Sequence, residues 1–471
     1  MRPPRILLHI DERRRDVVVL FALGRLFEQA GAHVTLTTRR TTPTFLRHGR
    51  YDAVLIPSHG QIPEAQRDRI CSRSKVYLFP TEGAWFGEGA LLVRFAGGYD
   101  ASLWDRQIRQ TQRCFLWGRY SRQTLLDTGR FREEKLTVVG APRMDYLLVP
   151  PSGEERGLAD PHSLGAISDF VVTNPYIPDD IFHAVHRARN RYGLYHAHTR
   201  NIEDRYWIEV GCLRVWFAFL EECVKRGERV RLRIHPRENL ENYGMLLQRY
   251  GKALRLDDQE APFEAWLGRI GVLFGFNSTA FFEVVAAGHP AVNLEGFLGP
   301  RLAEHTDGFP QNHYPIMDFV ETPSTWDDLF NYVRQVREGR WDARSAYGPE
   351  AQAVLTDVCH FPRTVSSLAA VVDRVLADLG GPDPAGKSGA VGELRAAVGS
   401  RLLEWSTFRL RRDKITSSWF PLEERRLRRR HAAAIARYLQ AAAAFPARAP
   451  AGSNGSRPAQ APSPAVLRGK T

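Results

Sequence analysis

Residues Val272 to Gly296 read VLFGFNSTAFFEVVAAGHPAVNLEG. Val272 to Phe274 is a short apolar run of the kind that forms a buried parallel strand. Gly275 to Asn277 turn the chain. Ser278 or Thr279 can then cap a helix that runs through Phe281, Phe282, Val284 and Val285. Gly288-His289-Pro290 ends that helix, and Ala291 to Leu294 begins another strand. The order is strand, polar turn, helix, strand. A helix start of this type offers unpaired N–H groups and partial positive charge to a phosphate. Glu283 stands inside the first turns of the apolar helix. It is no capping-box partner, because Phe281 and Phe282 hold the positions three after Ser278 and Thr279. Its carboxylate either stabilises the helix dipole or accepts hydrogen bonds from the ribose of a nucleotide whose phosphate rests at Asn277 to Thr279.

Strand and helix patterns alternate on both sides of this stretch. Upstream, strands are expected at 5–10, 33–38, 53–56, 76–79, 114–117 and 136–139, with a helix at 17–30. A Pro-, Gly- and Ser-rich stretch, 150–166, reads as a linker. A second series follows: strands at 170–173, 230–234 and 253–256, helices at 202–225 and 239–250, and a helical turn at 263–267. Helices at 326–338 and 365–379 come later, and one of them can cross back onto the first half. The pattern implies an α/β protein of two Rossmann-like domains facing a cleft, 1–149 and 167–379. Beyond a flexible break at 380–390, residues 391–445 are helical in pattern and basic, and 446–471 has the composition of a disordered tail.

The net charge of +12 is unevenly placed. Residues 391–471 hold 16 Lys or Arg against 5 Asp or Glu, and the remainder holds 49 against 48. The main body therefore has no electrostatic footprint for nucleic acid. The basic extension, with Trp405, Phe408, Trp419 and Phe420 near its arginines, suits an anionic membrane surface. No window of the sequence is apolar enough to span a bilayer. The short apolar run before Asp11 reads as a first strand and not as a signal peptide. Five scattered cysteines without C-x-x-C suggest reduced thiols and a cytoplasmic setting, peripheral at the inner face of the membrane if the basic extension binds it.

In parallel sheets ligands bind beyond the carboxyl ends of the strands, so the loops there hold the candidate residues. His235 and Arg237, in the run R-L-R-I-H-P-R-E, follow a strand and can hold a diphosphate or stabilise charge on a leaving phosphate. Glu82, in F-P-T-E-G, is a candidate base for an acceptor hydroxyl or a turn carboxylate. Arg143 and Asp145 either pair with each other or face the cleft. Asp11, Glu12, Arg15 and Asp16 read as a solvated turn. His196 and His198 lack the further ligands of a metal site. Neither a phosphate-binding GxxxxGK[ST] loop nor GxGxxG is present, and G-K-S at 386–388 lacks a preceding strand.

Taken in order, I-D-E-R-R-R-D, F-P-T-E-G, F-L-W-G-R-Y-S-R, V-V-G-A-P-R-M-D-Y-L, R-I-H-P-R-E and the opening stretch resemble the surface carbohydrate, or capsule polysaccharide, biosynthesis proteins, over about residues 5 to 320. Those proteins are related to glycosyltransferases of the two-domain GT-B architecture. The His-Pro pair at 235–236 and the Asn-Ser-Thr with Glu283 are also similar to elements of bacterial transferases that use CMP-sugars. The resemblance implies a glycosyltransferase without metal or cofactor. Its substrates would be a CMP- or UDP-linked sugar donor and a glycan or glycolipid acceptor. Glu82 and His235 would be catalytic, and Arg143, His235, Arg237, Asn277, Ser278, Thr279 and Glu283 would hold the donor. The chain lacks the paired-acid-Gly base motif of the CMP-sugar enzymes. Polyol-phosphate transferases and UDP-sugar 2-epimerases share this architecture, as would a non-catalytic scaffold of glycan assembly.

Overall fold

The computed structural model describes residues 2–39, 41–62, 64–97, 101–150, 160, 162–168, 170, 202–235, 238, 243–251, 253–257, 261–298, 314–380 and 424–447. Six strands form the first sheet: β1 (Arg5–Ile10), β2 (His33–Thr38), β3 (Ala53–Ile56), β4 (Lys75–Leu78), β5 (Thr111–Leu116) and β6 (Leu136–Val138). All are parallel, in the order β2-β1-β3-β4-β5-β6. Five strands form the second: β7 (Leu164–Ile167), β8 (Val230–Arg233), β9 (Leu254–Leu256), β10 (Val272–Gly275) and β11 (Ala291–Asn293). These are also parallel, in the order β11-β10-β7-β8-β9. The helices that shape the cleft are α1 (Arg13–Gln29), α2 (Ile202–Arg226), α3 (Phe263–Leu267), α4 (Ala280–Ala286), α5 (Pro349–Cys359), α6 (Ser367–Leu379), α7 (Glu424–Arg430) and α8 (Ala432–Ala444).

The expected α/β, GT-B-like arrangement is the observed fold, and most strands fall within one to three residues of their expected bounds. One element is displaced. The second sheet opens with β7 at Leu164, inside the stretch read as a linker, and not at 170–173. Residues 171–173 lie outside the described residues, and so do 151–159. Leu164-Gly-Ala-Ile has little side-chain bulk because β7 is the middle strand of its sheet. A Cβ on Gly165 would come within 2.3 Å of Ile270. The small residues that looked like a linker are there to let neighbouring layers approach.

Each sheet carries its own core. In the first, Ile6, Leu8, Phe21 and Phe27 pack with Leu368, Val371 and Val375 of α6 and with Leu427, Ile435 and Tyr438 of α7 and α8. The later helix does cross back onto the first half. The end of the basic extension goes with it, so 424–445 is part of the first domain's core and not a separate appendage. In the second core, Trp216 stacks on Phe219 within α2, and Phe219 packs at a tilt on Phe274, with Leu232 in the same cluster. A third cluster joins the halves: Phe86, Trp117 and Met144 meet Trp266, Phe281 and Phe282, with Leu355 and Val358 of α5. The Phe86 and Phe282 rings stack 6.3 Å apart.

Asp145 is the polar anchor of this return. It is fully buried and binds the equally buried Arg363 guanidinium, not Arg143 as its sequence position allowed. Its carboxylate also accepts from Ser366 Oγ (2.6 Å) and from the N–H groups of Ser367 and Leu368 (3.0 Å each), at the start of α6. An anion at a helix N-terminus satisfies donors that have no partner within the helix. Gly140 (φ 94°) leaves room for Arg363, whose guanidinium would lie 3.0 Å from a Cβ there. Replacing Asp145 by Asn strands the buried Arg363 charge. Urea unfolding is expected to show a loss of about 3–5 kcal/mol, whereas an unchanged midpoint would remove Asp145 from this role.

Among the described residues no helix is long and apolar enough to cross a membrane, no disulfide forms, and no His/Cys/Asp/Glu group could hold a metal ion. His196 and His198 lie outside those residues.

Candidate functional site

Strand order places the cleft. The direction of strand addition reverses between β1 and β3 in the first sheet, and between β7 and β10 in the second. Loops at such a switch point diverge and leave a crevice at the carboxyl ends of the strands. The loops after β1 and β4 bring Arg15 and Glu82 to the cleft, and Arg143 follows β6. Opposite them stand Ser168 after β7, His235 after β8, Glu264 after β9, and Ser278 with Thr279 after β10. The cleft has about 960 Å³ of atom-free space, counted out to its open mouth.

Glu283 faces this cleft from α4. It is 3% exposed, and the Arg143 guanidinium reaches it from the other domain as a direct ion pair. Burial raises the Glu283 carboxyl above its ordinary range, and Arg143 and Arg233 pull it back. The two residues that the sequence assigned to ribose and phosphate thus close on each other across the interface. Tyr438 of α8 lines the same wall, and its hydroxyl donates to the Arg143 carbonyl oxygen at 2.9 Å. Nothing in the Ala-rich sequence 432–444 signalled that role.

The charges after β1 are not a solvated turn. Asp11, Glu12 and Asp16 are 7%, 4% and 1% exposed. Asp16 accepts from the Glu12 N–H (2.8 Å), from Arg15 Nε (2.6 Å) and from Thr81 Oγ1 (2.7 Å). Arg15 Nη1 then donates to Glu82 Oε2 at 2.5 Å. Asp11 accepts from Arg39 at 2.6 Å. Burial opposes its charge, but His9, Arg15, Arg39 and Arg94 hold it well below the usual carboxylate range. A run of charges in sequence is ambiguous, and here it is a buried web that fixes Glu82 in the cleft.

His235 lines the opposite wall, and its backbone N–H donates to Ser168 Oγ (3.2 Å). Ser168 donates in turn to Glu238 (2.8 Å), a fully buried carboxylate that also accepts from the Phe170 N–H (2.6 Å) and Tyr243. Glu238 ties the H-P-R-E loop to the end of β7. Arg237 lies outside the described residues. Arg233, the last residue of β8, reaches the cleft with its guanidinium 5.8 Å above the Phe263 ring.

Ser278 and Thr279 line the cleft, and Ser278 Oγ accepts from the Ala280 N–H at 3.4 Å. Thr279 is the N-cap of α4, without a side-chain cap bond. Asn277 is placed otherwise. Its Oδ1 accepts from the Tyr314 N–H (3.1 Å), and its own N–H donates to Glu295 (3.3 Å), so its side chain holds a neighbouring loop. The cleft residues that sequence reading missed include Arg15, Ser168, Arg233, Glu264, Tyr314 and Tyr438. Arg233 alone was signalled, because strand alternation sets it beside Arg231 on one face.

No protein-family model matches the chain, and no curated protein sequence does. Among solved structures, the wall teichoic acid polymerase TagF soaked with CDPG is similar with a TM-score of 0.51 at 10% identity, over 80% of this chain and 89% of that one. A second structure of TagF gives 0.50 at 10% identity, over 80% and 90%. The UDP-GlcNAc 2-epimerase of Methanocaldococcus jannaschii gives 0.41 at 12% identity, over 75% and 99%. The likeness is one of fold.

A double-mutant cycle tests the pair at the interface. Arg143→Met or Glu283→Leu alone leaves a buried charge without its partner and is expected to cost about 3–5 kcal/mol. The double replacement should cost clearly less than the two together. Strict additivity in urea unfolding would show that the pair does not form.

Proposed function

We propose that the chain transfers a group, most simply a sugar, from a nucleotide-activated donor to a hydroxyl of a surface glycan or glycolipid. The observation that carries this reading is the convergence of Arg15, Arg143 and Arg233 with Glu82, Glu283 and His235 in one cleft between two parallel sheets. Guanidinium groups recognise phosphate oxygens through paired donors. In the proposed complex the donor phosphates replace Glu283 as the partner of Arg143. Glu283 then accepts from the ribose hydroxyls, so each half of the broken pair finds a new partner. His235 and Arg233 stabilise charge that collects on the leaving phosphate. Glu82, held by Arg15 on the opposite wall, takes the proton of the acceptor hydroxyl as its oxygen attacks the anomeric carbon. The bond from that carbon to the phosphate oxygen breaks, and the nucleotide leaves with the electron pair.

The polymerase likeness supports a second reading in which a polyol phosphate moves. There the acceptor oxygen attacks phosphorus and the diphosphate bond itself breaks. Calorimetry against CMP-, UDP-, GDP- and CDP-linked sugars and CDP-glycerol separates these donors. One compound is expected to bind, with Glu283→Ala weakening it about tenfold, near 1.4 kcal/mol. Absence of binding to every member, or binding that Glu283→Ala leaves untouched, would overturn the assignment.

The packed end of the extension supports a membrane-surface role for its arginines. Leu427 is buried, and Arg426, Arg429 and Arg430 of α7 are exposed. Each basic residue near an anionic surface contributes about 1 kcal/mol. Co-sedimentation with phosphatidylglycerol vesicles should fall when these three become Gln, and equal pelleting would remove the role.

A further inference from the structure

Glu264 is a cleft residue to which neither the motifs nor the transfer chemistry gives a task. It lies in the first turn of α3, after β9. Trp266 and Leu267 bury the opposite side of this short helix, and Trp266 Nε1 donates to Asp257 at 2.8 Å. Two residues along a helix is a turn of about 200°, so anchoring Trp266 in the core aims Glu264 the other way, at the cleft. The residue as a whole is partly exposed, but its Oε1 is shielded from solvent and has no hydrogen-bond partner among the described residues. A shielded carboxylate oxygen without a donor is costly unless a ligand completes it or the group is neutral.

We propose that Glu264 binds the donor as a neutral carboxylic acid, giving a hydrogen bond to a phosphate oxygen. This role rests on the transfer reading above. The surroundings fit a proton on this group. Burial, and then the nearby Glu283 carboxylate, push the Glu264 carboxyl up to about 7, and the pull of its own backbone N–H on the carboxylate, with Arg233 and Arg143, opposes that rise only in part. Tyr438 lines the same cleft, and burial together with the Glu283 carboxylate holds its hydroxyl and that of Tyr146 in the neutral form. As an acid, Glu264 can donate to an anion. As a carboxylate it would repel the same anion, so donor binding carries a proton with it.

Two measurements on the full chain test this. In the first, Tm is followed from pH 4.5 to 8 for wild type and Glu264→Gln. A carboxyl raised in the fold stabilises below its unfolded value near 4.5, and that contribution is lost as pH rises through about 7. The wild-type advantage over Glu264→Gln should shrink across that window. A constant difference overturns the neutral acid. In the second, the Kd of whichever nucleotide-diphosphate donor binds, UDP-glucose or CDP-glycerol, is followed from pH 6 to 8.5. A diphosphate diester does not titrate there. Wild-type Kd should rise about tenfold per pH unit above the Glu264 value. Glu264→Gln, an amide that donates at any pH, should bind comparably at pH 6 and lose this slope, and Glu264→Ala should bind weakly throughout. His235 also lines the cleft and ionises, so the slope is read as the difference between wild type and Glu264→Gln. Equal slopes in the two sink the Glu264 role alone. A wild-type protein that binds no member of the full donor panel sinks the transfer reading and this role with it.

Discussion

The Arg143–Glu283 pair is the contact on which the rest of the cleft depends. One partner follows the last strand of the first sheet, and the other sits on the helix after the fourth strand of the second. Both are removed from water. A buried pair of this kind contributes little net stability, because desolvation offsets most of the attraction. It does penalise any arrangement that separates the charges without giving each a new partner. The two sheets are thereby held at one spacing, and a ligand with phosphates and hydroxyls is a species that can replace both contacts at once.

Two further devices bring these partners into register. Asp145, two residues after Arg143, is locked to Arg363 and to the start of α6, so the turn carrying Arg143 cannot drift from the return helix. Tyr438, from the far end of the chain, holds the carbonyl of Arg143 itself. The aromatic seam of Phe86, Phe282 and Tyr314 closes the same interface by burial of apolar surface. Polar contacts set the position of the halves and apolar contacts supply the cohesion, in keeping with the weak net worth of the buried charges.

Much of this was legible beforehand, and the reason is local. A strand that ends in a polar turn before an apolar helix has one reading, so β10, the Ser278–Thr279 turn and α4 follow from residues 272–296. Glu283 was conspicuous as an acid among apolar neighbours. The H-P-R-E loop was conspicuous because it follows a strand. The failures share a cause of the opposite kind. Arg15, Asp16 and Asp11 look like surface charges until Thr81, Glu82 and Arg39, distant in sequence, are brought beside them. Nothing near Asn277 revealed that its side-chain oxygen would take the Tyr314 N–H. The stretch around Leu164 looked like a linker because small residues suit both loops and crowded central strands.

Sequence by itself determined most of the strands and helices, the parallel character of both sheets and the loops that lie beyond the carboxyl ends of their strands. Each of these is a matter of short-range period and composition. Tertiary structure decided strand order, and hence the switch points that open the cleft. It also decided which acid pairs with which arginine, and that a helix more than 400 residues from the first strand completes the wall behind Arg143. Those outcomes depend on which side chains meet after long loops close. Burial then decides whether a charge is solvated, paired or neutral, and a one-dimensional pattern carries no record of it.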